Sequence, residues 1–183
     1  MHASHFAAVP ARDNAAMRSL MMISLAAVLA LAACSPGLDW REVRPDGADV
    51  LVMFPCKPTI SAHPATKAEP VAMGLAQCEA AGQSFALSWA EVDDPAQLTP
   101  ALRQMRESLA TKLAVRPSEP RPLQVPGMTP NVEAQQQTLV GPQQQAQVAV
   151  FTRGRRVYQA LMLGAKPNAA AWDGFINSLR LGA

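Results

Sequence analysis

The sequence carries little charge and few histidines, and these shortages exclude several classes of function. Charged residues make up 16% of the 183-residue chain, and the formal net charge is only +2. A nucleic-acid surface needs a concentrated basic stripe, and a chain whose positive and negative charges nearly balance does not supply one. The densest basic group is Arg153, Arg155 and Arg156 around Gly154, a pattern more typical of a solvated hairpin tip than of a phosphate site.

Catalytic motifs are also missing, so we expect a protein that is not an enzyme. The sequence contains no G-x-S-x-G, no phosphate-binding glycine loop and no H-E-x-x-H. His63 is the only histidine after residue 5, and its predicted place in a turn beside Pro64 makes it a poor candidate for the base that a nucleophile needs. One histidine and no C-x-x-C pair disfavour a metal site, and no cofactor is predicted. The Asp93-Asp94 pair is expected to solvate a turn or to favour a helix N-terminus.

A hydrophobic run long enough to span a membrane is missing as well. The longest run, Leu20 to Ala33, has 14 residues, is preceded by Arg18, and falls short of the roughly 20 that a spanning helix needs. A positive segment followed by a short apolar run is typical of an export signal. Met17 would make a more typical start for such a signal than Met1.

The signal ends in Leu31-Ala-Ala-Cys34, which resembles the lipobox of bacterial lipoproteins. The resemblance implies that Cys34 receives a diacylglycerol and becomes the first residue after cleavage. Several acyl chains hold a protein at a membrane almost permanently. Ser35 is not the Asp that commonly retains such lipoproteins at the inner membrane, so the resemblance implies the periplasmic face of the outer membrane.

Two other fates for the signal stay open. Ala30-Leu31-Ala32 is also an A-x-A pattern, so ordinary cleavage after Ala32 would release a soluble periplasmic protein, and an uncleaved signal would stay in the inner membrane. We divide the chain into a signal peptide (1–33), a lipidated N-terminus and tether that includes Trp40 (34–48), and one domain (49–183).

Cys56 and Cys78 form a disulfide candidate, because an even pair in an oxidising compartment is typically bonded. A hairpin centred on Lys67 would place Cys56 opposite Cys78, with residues 59–64 running against residues 70–77. Two buried free thiols are the alternative.

The domain has the pattern of three strands, a helix, three strands and a helix, which predicts an α+β fold with a mostly antiparallel sheet of about six strands. Thr99 is predicted to cap the first helix and Asn168 the second. Between Arg116 and Pro130, five prolines predict a surface excursion without regular structure. The glutamine-rich strands that follow, 131–140 and 145–153, are expected to include an exposed or edge strand.

This order of elements resembles the PsbP/DcrB-like fold of small envelope and lumenal domains. The resemblance rests on Arg156-Val-Tyr158 followed by a closing helix with Phe175-Ile-Asn-Ser178-Leu, and covers about residues 49 to 183. Phe54-Pro-Cys-Lys-Pro58 is similar to a stretch in uncharacterised proteobacterial lipoproteins. The resemblance implies a sandwich and brings no catalytic residues with it.

We therefore expect a membrane-anchored interaction or assembly module that binds another envelope protein through a sheet edge or the proline-rich segment. The alternative is a carrier that holds a small apolar ligand between sheet and helix, with Met73, Met105 and Met162 lining the pocket.

Overall fold

The computed structural model describes residues 37–67 and 71–182, which belong to one compact unit that begins at Gly37. The export signal, the lipobox and Cys34 lie outside the described residues. Strand β1 and Trp40, which packs partly buried against the core, fall within the segment 34–48 that the sequence assigns to the tether. The folded body therefore begins before residue 49.

The described residues form eleven strands and two α-helices. The strands are β1 (Arg41–Val43), β2 (Val50–Phe54), β3 (Thr59–His63), β4 (Met73–Ala80), β5 (Gln83–Glu91), β6 (Arg116–Pro117), β7 (Arg121–Pro122), β8 (Gln135–Val140), β9 (Gln145–Arg153), β10 (Arg156–Gly164) and β11 (Arg180–Leu181). The helices are α1 (Leu98–Lys112) and α2 (Ala169–Asn177), and a short 3-10 helix, Pro95–Gln97, precedes α1.

Eight of the strands form one large sheet and three form a small one. The large sheet runs β3-β4-β5-β10-β9-β8-β6, with β7 also paired to β8, and the small sheet runs β1-β2-β11. Every strand pair described is antiparallel. The α+β class with mostly antiparallel sheets is confirmed, whereas the predicted count of about six strands is too low, because several short strands pair at long range.

The large sheet has an apolar core on each face, because side chains alternate along its central strands. On β10, Tyr158, Ala160 and Met162 pack with the small sheet and α2. Val157 of the same strand packs on the other face, in the core that holds Leu102 of α1. The molecule is therefore layered as α1, then the large sheet, then α2 with the small sheet.

Of the two predicted helix caps, one is present in the structure and the other is not. Asn168 caps α2 as predicted, since its side chain accepts a 3.2 Å hydrogen bond from the Ala171 amide. The cap predicted at Thr99 is wrong, because the chain already turns in the 3-10 helix that Asp94 caps, and α1 begins at Leu98. The Thr99 hydroxyl instead accepts a 3.0 Å hydrogen bond from the Asn131 side-chain amide.

The proline-rich segment corrects a second expectation. Far from lacking regular structure, it contributes β6 and β7 to the large sheet, and its Leu123 and Val125 are buried in the core beside α2. A proline can occupy an edge strand because its missing N–H then costs no interior hydrogen bond. The prolines therefore close the sheet beyond β8.

Tyr158 ties β10 to the loop between β1 and β2 of the small sheet. Its ring is fully buried, and its hydroxyl donates a 2.7 Å hydrogen bond to the Ala48 carbonyl oxygen. Burial raises the pKa of Tyr158 above the ordinary value of 10.0. The phenol therefore stays protonated in the folded protein at pH values where a free tyrosine ionises.

We expect Tyr158→Phe to lower the free energy of unfolding by about 1–2 kcal/mol at pH 7, because the Ala48 carbonyl oxygen loses its buried partner. A tyrosine with a raised folded pKa stabilises fully below about pH 10, and this stabilisation is lost as pH rises through the folded pKa. Urea denaturation at several pH values measures both effects. If the difference in unfolding free energy between wild type and Tyr158→Phe does not decrease above about pH 10, this role of the hydroxyl is contradicted.

Candidate interaction edge at strand β3

A disulfide joins Cys56 to Cys78, with the two Cα atoms 6.0 Å apart, and the predicted pairing is confirmed. Cys56 lies just after β2, where the chain leaves the small sheet, and Cys78 lies on β4 of the large sheet. The bond therefore fixes the root of β3 to its neighbour strand and links the two sheets covalently.

The hairpin between β3 and β4 is antiparallel as predicted, but its register differs from the prediction by two residues. Thr59 pairs with Gln77 and His63 with Met73, so Cys56 is not opposite Cys78 in the ladder. The ladder begins directly after Pro58, which has no N–H to donate. A shift of two residues keeps every side chain on its predicted face.

Strand β3 is the open edge of the large sheet. Among the described residues it pairs only with β4, and all five of its residues are exposed. Ile60 is 43% exposed, which is unusual for a large apolar side chain in a strand. An edge strand carries unpaired N–H and C=O groups that can receive another extended chain. Pro58 and Pro64 bracket β3 and limit that pairing to five residues.

Basic side chains flank this edge. Lys57 precedes β3, Lys67 follows it, and both are exposed. Within the described part of the chain, neither lysine takes part in an ion pair. Two copies of this edge would bring like charges together, whereas a strand flanked by carboxylates would be attracted.

The opposite end of the sheet is closed. Strands β6 and β7 both pair with β8. Ser118 adds two hydrogen bonds to Thr138: its amide donates to the Thr138 carbonyl oxygen at 2.8 Å, and its hydroxyl accepts from the Thr138 amide at 3.0 Å. The glutamine-rich β8 is therefore not the open edge, and β9 lies inside the sheet with most of its residues buried. The proline-rich segment is part of the fold rather than a free ligand.

The three arginines at the hairpin between β9 and β10 are all engaged within the fold. Arg153 donates to the carbonyl oxygens of Gly127 and Leu181 and forms a 3.1 Å ion pair with Asp49. Arg155 and Arg156 both pair with Glu91, at 2.9 Å and 3.4 Å. Their placement matches a structured hairpin tip.

The three methionines of the carrier alternative do not line one pocket. Met162 is fully buried in the core beside α2, whereas Met105 packs in the core beneath α1, on the opposite face of the sheet. Met73 is 45% exposed on β4. The structure therefore does not bring these side chains together.

Of the remaining polar residues, Asp94 accepts a 2.9 Å hydrogen bond from the Ala96 amide at the start of the 3-10 helix, which is the turn role expected of the Asp93-Asp94 pair. His63 is exposed and its Nε2 lies 3.2 Å from the Ser61 hydroxyl. Over residues 37–67 and 71–182, no group of histidine, cysteine and acidic residues could hold a metal ion. No helix in the same ranges is long and apolar enough to cross a membrane.

Comparison with known proteins adds no relative. No model of a known protein family matches the chain, and a search of curated proteins finds no similar sequence.

Sequence reasoning placed the disulfide but did not identify β3 as the open edge. The signal was present in Pro58 and Pro64, which bracket a five-residue stretch with two small side chains. Prolines at both ends of a strand are typical of an edge, because an interior strand needs every N–H.

We expect the double variant Cys56→Ser/Cys78→Ser to lose about 3 kcal/mol of unfolding free energy, because a loop of this length then opens in the unfolded chain. Urea denaturation of full-length protein with and without reductant measures the loss. Cys34→Ser is the matched control and should leave the unfolding free energy unchanged. Free thiols at residues 56 and 78 in denatured, unreduced wild type would contradict the bond.

Proposed function

We propose that this chain is an exported, lipid-anchored protein of the cell envelope that docks an extended segment of a neighbouring envelope protein on the open edge of β3. The role is one of interaction or assembly rather than catalysis. The partner segment adds as a further strand and carries acidic residues that face Lys57 and Lys67. The exposure of all five residues of β3 is the observation that carries the proposal.

Three features support the envelope address. Leu31-Ala-Ala-Cys34 matches a lipobox behind a short apolar run, and the Cys56–Cys78 disulfide is of the kind that persists in oxidising compartments. Ser35 favours the periplasmic face of the outer membrane. We further propose that the layered arrangement of α1, large sheet, and α2 with the small sheet is a PsbP/DcrB-like sandwich.

β-Augmentation suits this edge for a physical reason. Backbone hydrogen bonds supply affinity without demanding particular side chains, and the alternating side chains of the added strand supply specificity. Because β6 and β7 pair with β8 at the opposite end, β3 is the long unpaired edge within residues 37–67 and 71–182. The disulfide holds the receiving strand in place, so less ordering is needed when the partner binds.

Anchoring is tested in cells that are fed labelled palmitate. Full-length wild type should incorporate the label and sediment with membranes, whereas Cys34→Ala should do neither, because the acyl chains have no thiol to join. Ser35→Ala is the matched control and should keep the label. Recovery of unlabelled wild type in the aqueous fraction, or a mature N-terminus at Ala33, would refute the anchor.

Docking is tested by placing a photo-crosslinking amino acid at single positions of the full-length protein in cells. Positions 60 and 62 lie on one face of β3 and should give the same discrete adduct, because an added strand contacts both. Position 132 is the control, since Val132 is 82% exposed but lies far along the chain from β3.

The yield of the adduct should fall several-fold in the Cys56→Ser/Cys78→Ser background, where the disulfide no longer holds β3 against β4. It should also fall in Lys57→Glu, whose charge would repel acidic residues of the partner. An equal adduct at position 132, no adduct at position 60, or an adduct with twice the mass of this chain would each contradict docking of a different protein.

A further inference from the structure

A polar groove lies between α1 and the closed end of the large sheet, away from β3. It has a volume of about 690 Å³. Its lining combines small apolar residues with a few polar ones: Arg106, Glu107, Ala110, Thr111, Ala114, Val115, Arg116, Pro117 and Gln137. The docking of a strand on β3 makes no use of this groove.

Gln137 is the unusual residue of this lining. It lies on β8, on the face that packs under α1, and is only 8% exposed. Its side-chain amide has no hydrogen-bond partner among the described residues, although both neighbouring glutamines are bonded, Gln135 to Arg106 and Gln136 to Trp172. These amide atoms are not fully buried, so the amide is open to the groove, where a ligand or water can bond to it.

Arg106, which also lines the groove, has an unbonded donor of a different kind. Its guanidinium is held by Glu133 at 2.6 Å and by the side chain of Gln135, yet its Nε–H has no partner. In the described ranges, this Nε is the one side-chain nitrogen or oxygen that is both fully buried and unbonded. Because this nitrogen is fully buried, a ligand in the groove cannot reach it, and the open hydrogen-bonding group there is the amide of Gln137.

We propose that this groove binds the acetamido group of an N-acetylated amino sugar. An amide bonds well to an amide, because each offers one donor and one acceptor, and Gln137 supplies both. The methyl of the acetyl group fits the small apolar lining of Ala110, Ala114 and Val115. Glu107 and Thr111, both exposed at the groove, offer oxygens to sugar hydroxyls.

The size and rim of the groove agree with a sugar of this class. A volume of about 690 Å³ exceeds the need of one monosaccharide and leaves room for a second ring. The rim carries the carboxylate of Glu107, the hydroxyl of Thr111 and the guanidinium of Arg116, and this mixture of charges suits a neutral ligand with several hydroxyl groups better than a simple anion.

The test uses full-length protein in a detergent without sugar headgroups, titrated with N-acetylglucosamine and followed by ligand-observed NMR. We expect saturable binding with a Kd on the order of 1 mM, as for a small ligand held by a few hydrogen bonds. Glucose, which lacks the acetamido group, should bind at least about tenfold more weakly, the factor that one lost hydrogen bond gives.

Gln137→Leu is the decisive variant, since it keeps the volume and removes the amide. It should weaken N-acetylglucosamine binding at least about tenfold while leaving Tm at or above the wild-type value, because an unbonded amide is replaced by an apolar group. Gln143→Leu, at an exposed glutamine outside the groove, should keep wild-type affinity.

Three results would overturn the proposal. One is the absence of saturable binding to folded protein, which would mean that ordered water alone fills the groove. Another is equal binding of glucose, or of N-acetylalanine methylamide, which would remove the preference for an acetylated sugar. The third is wild-type affinity in Gln137→Leu.

Discussion

The large sheet excludes water from both faces only over its central strands, and this unequal cover governs the rest of the structure. Helix α1 covers β9 and β10 on one face, while α2 and the small sheet cover them on the other. Strand β3 lies beyond both covers, with every residue exposed. Burial therefore contributes little to holding β3, and its place depends on backbone pairing with β4 and on the Cys56–Cys78 bond.

The two ends of the sheet are treated in opposite ways. Beyond β8, a proline-rich segment folds back as β6 and β7 and buries Leu123 and Val125, so no long edge is left there. At β3, prolines only bracket the strand, and the strand itself stays open and is fixed by a covalent bond. An edge that is held rigid but left uncovered is suited to receiving another chain, which is the basis for the proposed docking role.

Local patterns were enough to predict much of the fold. Alternation in β5 and β10, the Asn168 cap of α2 and the cysteine pair all depend on neighbouring residues or on simple hairpin geometry. The strand pairs made by the proline-rich segment were missed, because its contacts with β8 are non-local and override the proline signal. The sequence could not predict that Arg106 bonds to Glu133 or that the Gln137 amide is unbonded, because both depend on how α1 packs over β8.

Hydrogen–deuterium exchange of oxidised and reduced full-length protein tests the central claim most directly, because it reports the stability of each strand separately. If the disulfide holds the open edge, reduction should remove nearly all protection from the β3 amides that bond to β4, while β9 and β10 remain the slowest-exchanging strands. Unchanged protection of β3 after reduction would show that the edge is held by its own packing, and the account would be wrong.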